Sequence, residues 1–337
     1  MSTKTNDPSG TPPTTRAFDL LAGMFAAQVI AAMATAQVFD TIGHGSKTPD
    51  EVATACGLDR NTLARALRFL EVVGVVNKDK DAYALTDVGK CFLKDVPGSL
   101  HGSVSFISAP PWRDSWNNFS HCLRTGEPAF DHVFKQPFFT YLDRNQEYGK
   151  PFNQYMTRMT TMVAPLVADA YDFGQFKTVC DVGGGQGILL KAVLEKHGGC
   201  KGILFDMENA LKEQVLGGLV DRTELVTGSF FEKVPRADCL LLKTVIHDWN
   251  DANSIRILTN CGEALHKGGK VLLVEQVIER PFTMMGLFYD LHMQVMLGGA
   301  ERTEEEFAQL LAAAGLKLNR IIPTPSPMKL IEAVAAG

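Results

Sequence analysis

Thr178-Val-Cys-Asp181-Val-Gly183-Gly-Gly185-Gln-Gly187-Ile-Leu-Leu190 decides how this chain is read. A short apolar run, the length of a buried strand, ends in a glycine-rich turn. Beyond the turn, Leu189, Leu190, Val193 and Leu194 are spaced for one apolar helix face. Strand, tight turn and helix form the first unit of a nucleotide-binding α/β sheet, where a ligand reaches backbone N–H groups unshielded by side chains. Dinucleotide folds place glycines first, third and sixth. Counted from Gly183 the sixth residue is Ile188, and from Gly185 it is Leu190, so neither fits. No Lys-Ser/Thr follows the glycines, which argues against a phosphate-cradling loop. A nucleoside site and an ordinary strand–helix connection remain open on this stretch alone.

Lys201-Gly-Ile-Leu-Phe-Asp206 reads as the next strand, ending in an acid 25 residues after Asp181. A carboxylate there can accept hydrogen bonds from both ribose hydroxyls of a nucleoside. Its competing role is to cap the next helix. With the glycine turn in place, the ribose role is the stronger.

The chain of 337 residues fits two domains, and 45% hydrophobic with 21% charged residues is ordinary for a well-cored protein. A net charge of −5 argues against nucleic acid or an anionic membrane as partner. No uninterrupted apolar run reaches bilayer length. Residues 1–15 are polar, with Pro8, Pro12 and Pro13, and are expected to be a disordered tail rather than a signal peptide. Seven scattered cysteines without a Cys-x-x-Cys pair point to reduced thiols in the cytoplasm.

Phe18 to Ile42 is apolar nearly all round, so as a helix it needs burial on several sides, and a second copy of the chain is the simplest shelter. Thr48 with Pro49 opens a helix, and Asp59 caps another carrying Leu63, Leu67 and Leu70. Val72–Val76 and Tyr83–Thr86 read as strands around a polar turn, Asn77–Asp81. The arrangement is a winged helix-turn-helix, spanning with the preceding helix residues 16–100. Ten Lys/Arg against eleven Asp/Glu in residues 1–100 give no basic face for DNA.

Residues 101–166 form a helical stretch with Phe106, Trp112, Trp116, Phe119, Phe138, Phe139, Phe152, Met156, Met159 and Met162. Much of this is core, yet aromatic and methionine side chains also suit the wall of a flat, apolar site. The expected pocket takes Trp112, Phe139, Phe152, Met156 and Met159 from it, with His292 and Met296 from later in the chain. From about Val167 the strand–helix alternation of a doubly wound α/β sheet begins, and residues 318–322 and 329–334 should close it as a hairpin.

Cys239–Lys243 reads as the fourth strand of this sheet, leading into Thr244-Val-Ile-His247-Asp-Trp249. Ligands bind outside the carboxyl ends of such strands, which puts His247 near the crevice. Val271–Val274 ends in Glu275 at the equivalent edge, and Gly298-Gly-Ala-Glu301-Arg-Thr303 places another acid in a glycine turn. Thr303 with Glu306 has the form of a capping box. No His/Cys/Asp group shows metal-ligand spacing, so no metal is expected.

Taken in order, Asp181-x-Gly183-x-Gly185-x-Gly187, Leu242-Lys243 through His247-Asp-Trp249, Gly269–Glu275, Gly298–Thr303 and the upstream Arg124–Phe130 resemble the small-molecule O-methyltransferases that use S-adenosylmethionine (SAM). Plant caffeic acid O-methyltransferase and bacterial antibiotic-tailoring enzymes are of this type, and the likeness covers residues 18–335. The resemblance implies a Rossmann-like methyltransferase domain over 167–337, a helical, winged-helix-like dimerisation domain and a homodimer. It implies SAM as donor, S-adenosylhomocysteine as product, and methyl transfer to a hydroxyl of an aromatic, phenolic or polyketide-like secondary metabolite. By motif position His247 would be the general base, with Glu275 and Glu301 orienting it. Asp181, Gly183, Gly185, Gly187, Asp206, Ser229, Phe230 and Lys243 would form the cofactor site. Ser229 departs from the Asp usual in the family, which is expected to bind the adenine amino group. A repurposed member performing other chemistry, and a ligand-sensing regulator, are the competing readings.

Overall fold

The computed structural model describes residues 11–336, without the side chains of residues 105–107. The first ten residues of the expected tail and the side chain of Phe106 therefore lie outside the described residues. The chain divides into two compact units, Met1–Arg113 and Asp114–Gly337.

In the first unit the structure corrects the expected N-terminal helix. It starts at Pro13, inside the supposed tail, where a proline at the first helical turn has no N–H to lose. It runs to Thr35 and breaks at Gln37, whose φ of 60° is left-handed, before a short helix Val38–Ile42. The expectation that no segment is of bilayer length also fails. Pro13–Thr35 has 23 residues and is long and apolar enough to cross a membrane by length and composition. Its isolated Gln28 and Thr35 do not interrupt a helix. Phe18, Leu21, Met24 and Phe25 are exposed on it, while Met33 and Ala34 join Phe39, Leu67 and Leu70 in a small core.

Helices Pro49–Cys56 and Arg60–Val72 start at the two expected caps, Thr48 in a full capping box with Glu51, and Asp59 accepting from the Thr62 N–H. Strands β1 (Ser46–Lys47), β2 (Val76–Asp79) and β3 (Ala82–Leu85) form a small sheet in the order β1-β3-β2. The first of these hairpin strands was misplaced in sequence. Val72 ends the helix, 86% exposed, and the polar run Asn77–Asp79 is strand rather than turn. All three of those polar residues are exposed, so their polarity marks an outward-facing strand and not a loop.

The second unit carries β4 (Thr178–Val182), β5 (Lys201–Asp206), β6 (Thr223–Thr227), β7 (Ala237–Lys243), β8 (Leu265–Ile278), β9 (Arg302–Thr303), β10 (Leu316–Pro323) and β11 (Met328–Ala335). The sheet order is β10-β11-β8-β7-β4-β5-β6, with β9 beside the end of β8. Strands β4 to β8 pair in parallel, whereas β11 is antiparallel to β8 and β10 to β11, the expected hairpin. Parallel strands covered on both faces are apolar along their length. Accordingly Val271, Leu272, Leu273 and Val274 are all fully buried. Helices Asp251–Ala264 and Glu304–Ala313 cover one face, through Ile257, Leu258, Phe307 and Leu311. Helices Gln146–Ala170 and Ile188–Lys196 cover the other, through Val163, Val167, Leu190 and Val193. The chain steps from β4 to β5 and β6, then returns to place β7 on the other side of β4. That reversal opens a crevice at the carboxyl ends of β4 and β7.

Glu332 on β11 is fully buried, yet it accepts hydrogen bonds from Tyr171, Asn319, Lys270 (3.0 Å) and Arg320 (3.1 Å). Burial alone would raise its carboxyl, but the donors, led by Tyr171, override this and hold the pKa at about 2. An unfolded glutamate titrates near 4.5. The stability from this difference, about 3 kcal/mol, is therefore complete above that pH and drains away as pH falls toward 2. Glu332→Gln should lose roughly that amount in urea unfolding at pH 7, and the gap to wild type should narrow at pH 3.

Candidate active site

The glycine turn lies at the carboxyl end of β4. Gly183, Gly185 and Gly187 are all left-handed, with φ of 70°, 57° and 79°. At Gly183 a Cβ would also come within 3.1 Å of the Val245 side chain, so this position is closed to other residues on two grounds. Gly187 leads into Ile188–Lys196 without a side-chain cap. Asp181 sits beneath the turn, 1% exposed, and burial raises its pKa to about 7. Its Oδ2 has no hydrogen-bond partner among the described residues.

Asp206 ends β5 and is fixed from two sides. Its Oδ2 accepts from the Gly185 N–H at 2.8 Å and its Oδ1 from the Met207 N–H at 2.6 Å. It does not cap the following helix, whose N-cap position is Met207. Each oxygen keeps a lone pair for a further donor. Lys243 ends β7, largely buried, and desolvation draws its ammonium pKa down against the pull of Glu275 and Asp181. The Ser229 Oγ accepts from the Phe231 N–H at 3.3 Å, a bond within its own loop. Phe230 packs edge-on to Phe231, whose ring meets Trp249 at 4.7 Å.

His247 occupies a short 3-10 turn, Ile246–Asp248, just beyond β7. Thr244 precedes it at φ 50°, a strained conformation for a β-branched residue. The His247 Nδ1 lies 2.8 Å from Glu301 Oε1 and 3.7 Å from Glu275 Oε2, and its Nε2 lies 3.3 Å from Asp248 Oδ1. Glu275 falls within β8 rather than at its end, fully buried, and its Oε1 accepts from the N–H groups of Val245 (3.0 Å) and Ile246 (2.9 Å). Burial alone would depress the imidazole, but Glu275, Asp248 and Glu301 together raise its pKa to about 10. Burial in turn raises Asp248 to about 7 and Glu275 above the ordinary range.

Two features absent from the sequence reading complete this group. Asp248 was not singled out, although its adjacency to His247 was visible. The expectation of no metal-type cluster is also corrected. His247, Glu275 and Glu301 bring ligand-type atoms within 4.8 Å of one another, from three separate chain segments that linear spacing does not connect.

Arg302, next to Glu301 in the glycine turn, is 3% exposed. It donates to the carbonyls of Ile246 (3.3 Å), Trp249 (3.0 Å) and Ala300 (3.2 Å), and to Asp251 Oδ1 at 2.7 Å. It thus ties the segment bearing Glu301 to the one bearing His247. Gly299 lets these backbones touch, because a Cβ there would lie 2.0 Å from the His247 carbonyl oxygen.

The expected pocket residues separate. Trp112 is buried and belongs to the first unit. Phe139 and Phe152 each pack against Phe138, which meets Phe130, a ring fully inside the core. Met156 and Met159 are half-buried on Gln146–Ala170, and Met296 is 1% exposed, a core residue rather than a lining one. His292, on helix Met284–Leu297, stacks with Phe288 and Trp116. Phe288 was missed because its stacking partner Trp116 is distant in sequence.

Residues 116–317 match the O-methyltransferase domain and residues 18–95 the O-methyltransferase dimerisation domain. The chain belongs to the O-methyltransferase family. It is 35% identical to the phenazine O-methyltransferase PhzM of Lysobacter antibioticus, over 98% of this chain and 99% of that one. The solved mitomycin 7-O-methyltransferase MmcR superposes with a TM-score of 0.88 at 33% identity, covering 96% of this chain and 98% of that one. NcsB1 from neocarzinostatin biosynthesis, solved with S-adenosylhomocysteine and 1,4-dihydroxy-2-naphthoic acid, gives 0.79 at 31% identity, with 92% and 96% covered. The family's cofactor is SAM, and the residues here fit it. Beneath the glycine turn Asp181 keeps an unpartnered buried carboxylate oxygen, and Asp206 is a pre-oriented acid at the end of β5.

Arg302→Lys should lower stability by about 2–3 kcal/mol, because an ammonium cannot span three carbonyls and a carboxylate. Thermal unfolding reads the loss.

Proposed function

We propose that this O-methyltransferase methylates a hydroxyl of an aromatic, phenolic or polyketide-like secondary metabolite, with His247 as general base. The observation that carries the reading is the 2.8 Å contact between His247 Nδ1 and Glu301, with Glu275 behind it and the cofactor crevice alongside. The names of PhzM and MmcR and the ligand of NcsB1 support an aromatic acceptor. The dimerisation-domain match and the exposed apolar face of Pro13–Thr35 support a homodimer, with the winged-helix-like unit serving assembly rather than DNA. Cytoplasmic residence rests on the seven cysteines, all free thiols. Nothing favours a repurposed chemistry, since the matched family and the relatives above are methyltransferases.

Bound SAM supplies a methyl group activated by its sulfonium. In this reading the Gly183–Gly187 turn, with Asp181 below it, admits the cofactor, and Asp206 receives the ribose hydroxyls. Lys243, Phe230 and Ser229 would lie along the nucleoside. In this reading the His247–carboxylate group works as an acid–base device, its Nδ1 held by Glu301.

A phenol titrates near 10 and a free histidine near 6.5, so proton transfer between them would be uphill by about 5 kcal/mol. The three carboxylates remove that gap by lifting His247 to about 10. The consequence is an imidazolium at neutral pH. A phenol meeting neutral His247 and a phenolate meeting the imidazolium are the same protonation state, and each becomes commoner as pH rises. The remaining task is alignment of the acceptor oxygen with the methyl carbon and exclusion of water.

Asp206→Ala should weaken SAM binding by about 1–3 kcal/mol in calorimetry, the usual range for unpaired buried polar groups. Undiminished affinity would remove Asp206 from the ribose.

His247→Ala should retain SAM affinity while turnover falls by about 10²–10⁴, the contribution of a positioned general base. Wild-type kcat/KM should climb with pH through neutrality and level only near 10. Glu301→Gln, lacking one of the charges that raise His247, should level at lower pH and lose less rate than His247→Ala. Wild-type turnover in His247→Ala would make this histidine a packing residue.

A further inference from the structure

His292 has one ring nitrogen committed by its neighbour. The Trp116 Nε1–H donates to His292 Nδ1 at 3.0 Å. An indole nitrogen only donates, so Nδ1 is the bare nitrogen and the ring proton sits on Nε2. Protonating the ring would set two N–H groups against each other, so the Trp116 bond itself disfavours the imidazolium. The Trp116 and Phe288 rings lie 5.7 Å apart at 6°, and Phe288 lies 5.6 Å from the imidazole at 20°. Burial, with the nearby charge of His247, agrees with a neutral ring and lowers its pKa to about 4.

His292 Nε2 meets no protein acceptor among the described residues, although carboxylates stand nearby. Glu301, Glu275 and Asp248 all face His247 instead, and Asp290 accepts from the Glu301 N–H at 3.2 Å. Helix Met284–Leu297 packs against the turn holding His247. One neutral, fixed donor therefore stands on a helix packed against the turn that carries the proton-taking His247. An uncharged acceptor would satisfy it.

We propose that His292 is a specificity-determining residue whose Nε2–H donates to an uncharged carbonyl-type oxygen on the ring system that presents its hydroxyl to His247. The inference rests on the methyl-transfer reading and narrows it to hydroxylated quinones or aryl ketones. A ligand lacking that oxygen leaves the donor unpaired.

The test uses 2-hydroxyanthraquinone and 2-hydroxyanthracene, which share a skeleton and differ in the carbonyls. Binding is followed by fluorescence with S-adenosylhomocysteine present, and methylation by mass. The wild type should prefer the quinone by about 10- to 100-fold. His292→Asn, which keeps an N–H donor, should retain most of that preference, and His292→Phe should abolish it. Independently of turnover, ¹⁵N NMR should show His292 as the neutral Nε2–H tautomer from pH 5 to 9. Trp116→Phe should release it into a tautomer mixture. An unchanged preference in His292→Phe, or an Nδ1–H tautomer in wild type, overturns the proposal. Should wild type methylate neither probe, the reaction assigned above fails, while the binding ratio and the tautomer still decide the role of His292.

Discussion

Glu275 is the carboxylate on which the active end of this protein depends. Fully buried in β8, it accepts two adjacent backbone N–H groups, Val245 and Ile246, at the point where the chain leaves β7. A buried carboxylate is tolerable only when paired and hydrogen-bonded. Here one oxygen takes the two amides, and the other faces the His247 ring at 3.7 Å. One side chain thereby fixes the backbone that carries the histidine and part of the field that sets its proton affinity.

The surrounding structure is arranged to sustain that bond. Thr244 accepts a left-handed conformation so that the chain can turn directly from β7 into the His247 segment. Arg302 holds the far side of the segment by its carbonyls, and Gly299 permits backbone-to-backbone approach. Lys243 and His247 stand among the carboxyl groups of Glu275, Asp248 and Glu301, so the site gathers both signs of charge at the end of β7.

The parts of this design that were legible in sequence are those built by neighbours along the chain. The strand–turn–helix around Gly183, the acid closing β5, the caps at Thr48, Asp59 and Thr303, and the terminal hairpin each follow from local residue chemistry. His247, Glu275 and Glu301 were found by position at strand ends and by resemblance. Their mutual distances were not readable, because 28 residues separate the first pair and 26 the second. Arg302 carried no signal in sequence, since most of its acceptors are carbonyls, which leave no trace in residue type. The Glu332 network was invisible for the same reason, its donors coming from Tyr171, Lys270, Asn319 and Arg320. The wing of the first unit was shifted because polarity on an exposed strand imitates a turn.

Phe288 and His292 stand one turn apart on Met284–Leu297, whereas the residues assigned above to the cofactor come from the ends of β4, β5 and β7. In that assignment acceptor reading and donor handling are written on separate stretches of the chain. Substitutions along that one helix can redirect the enzyme to new aromatic skeletons while the inherited methylating apparatus stays intact. Diversification of a tailoring enzyme then requires a few point changes and no new fold.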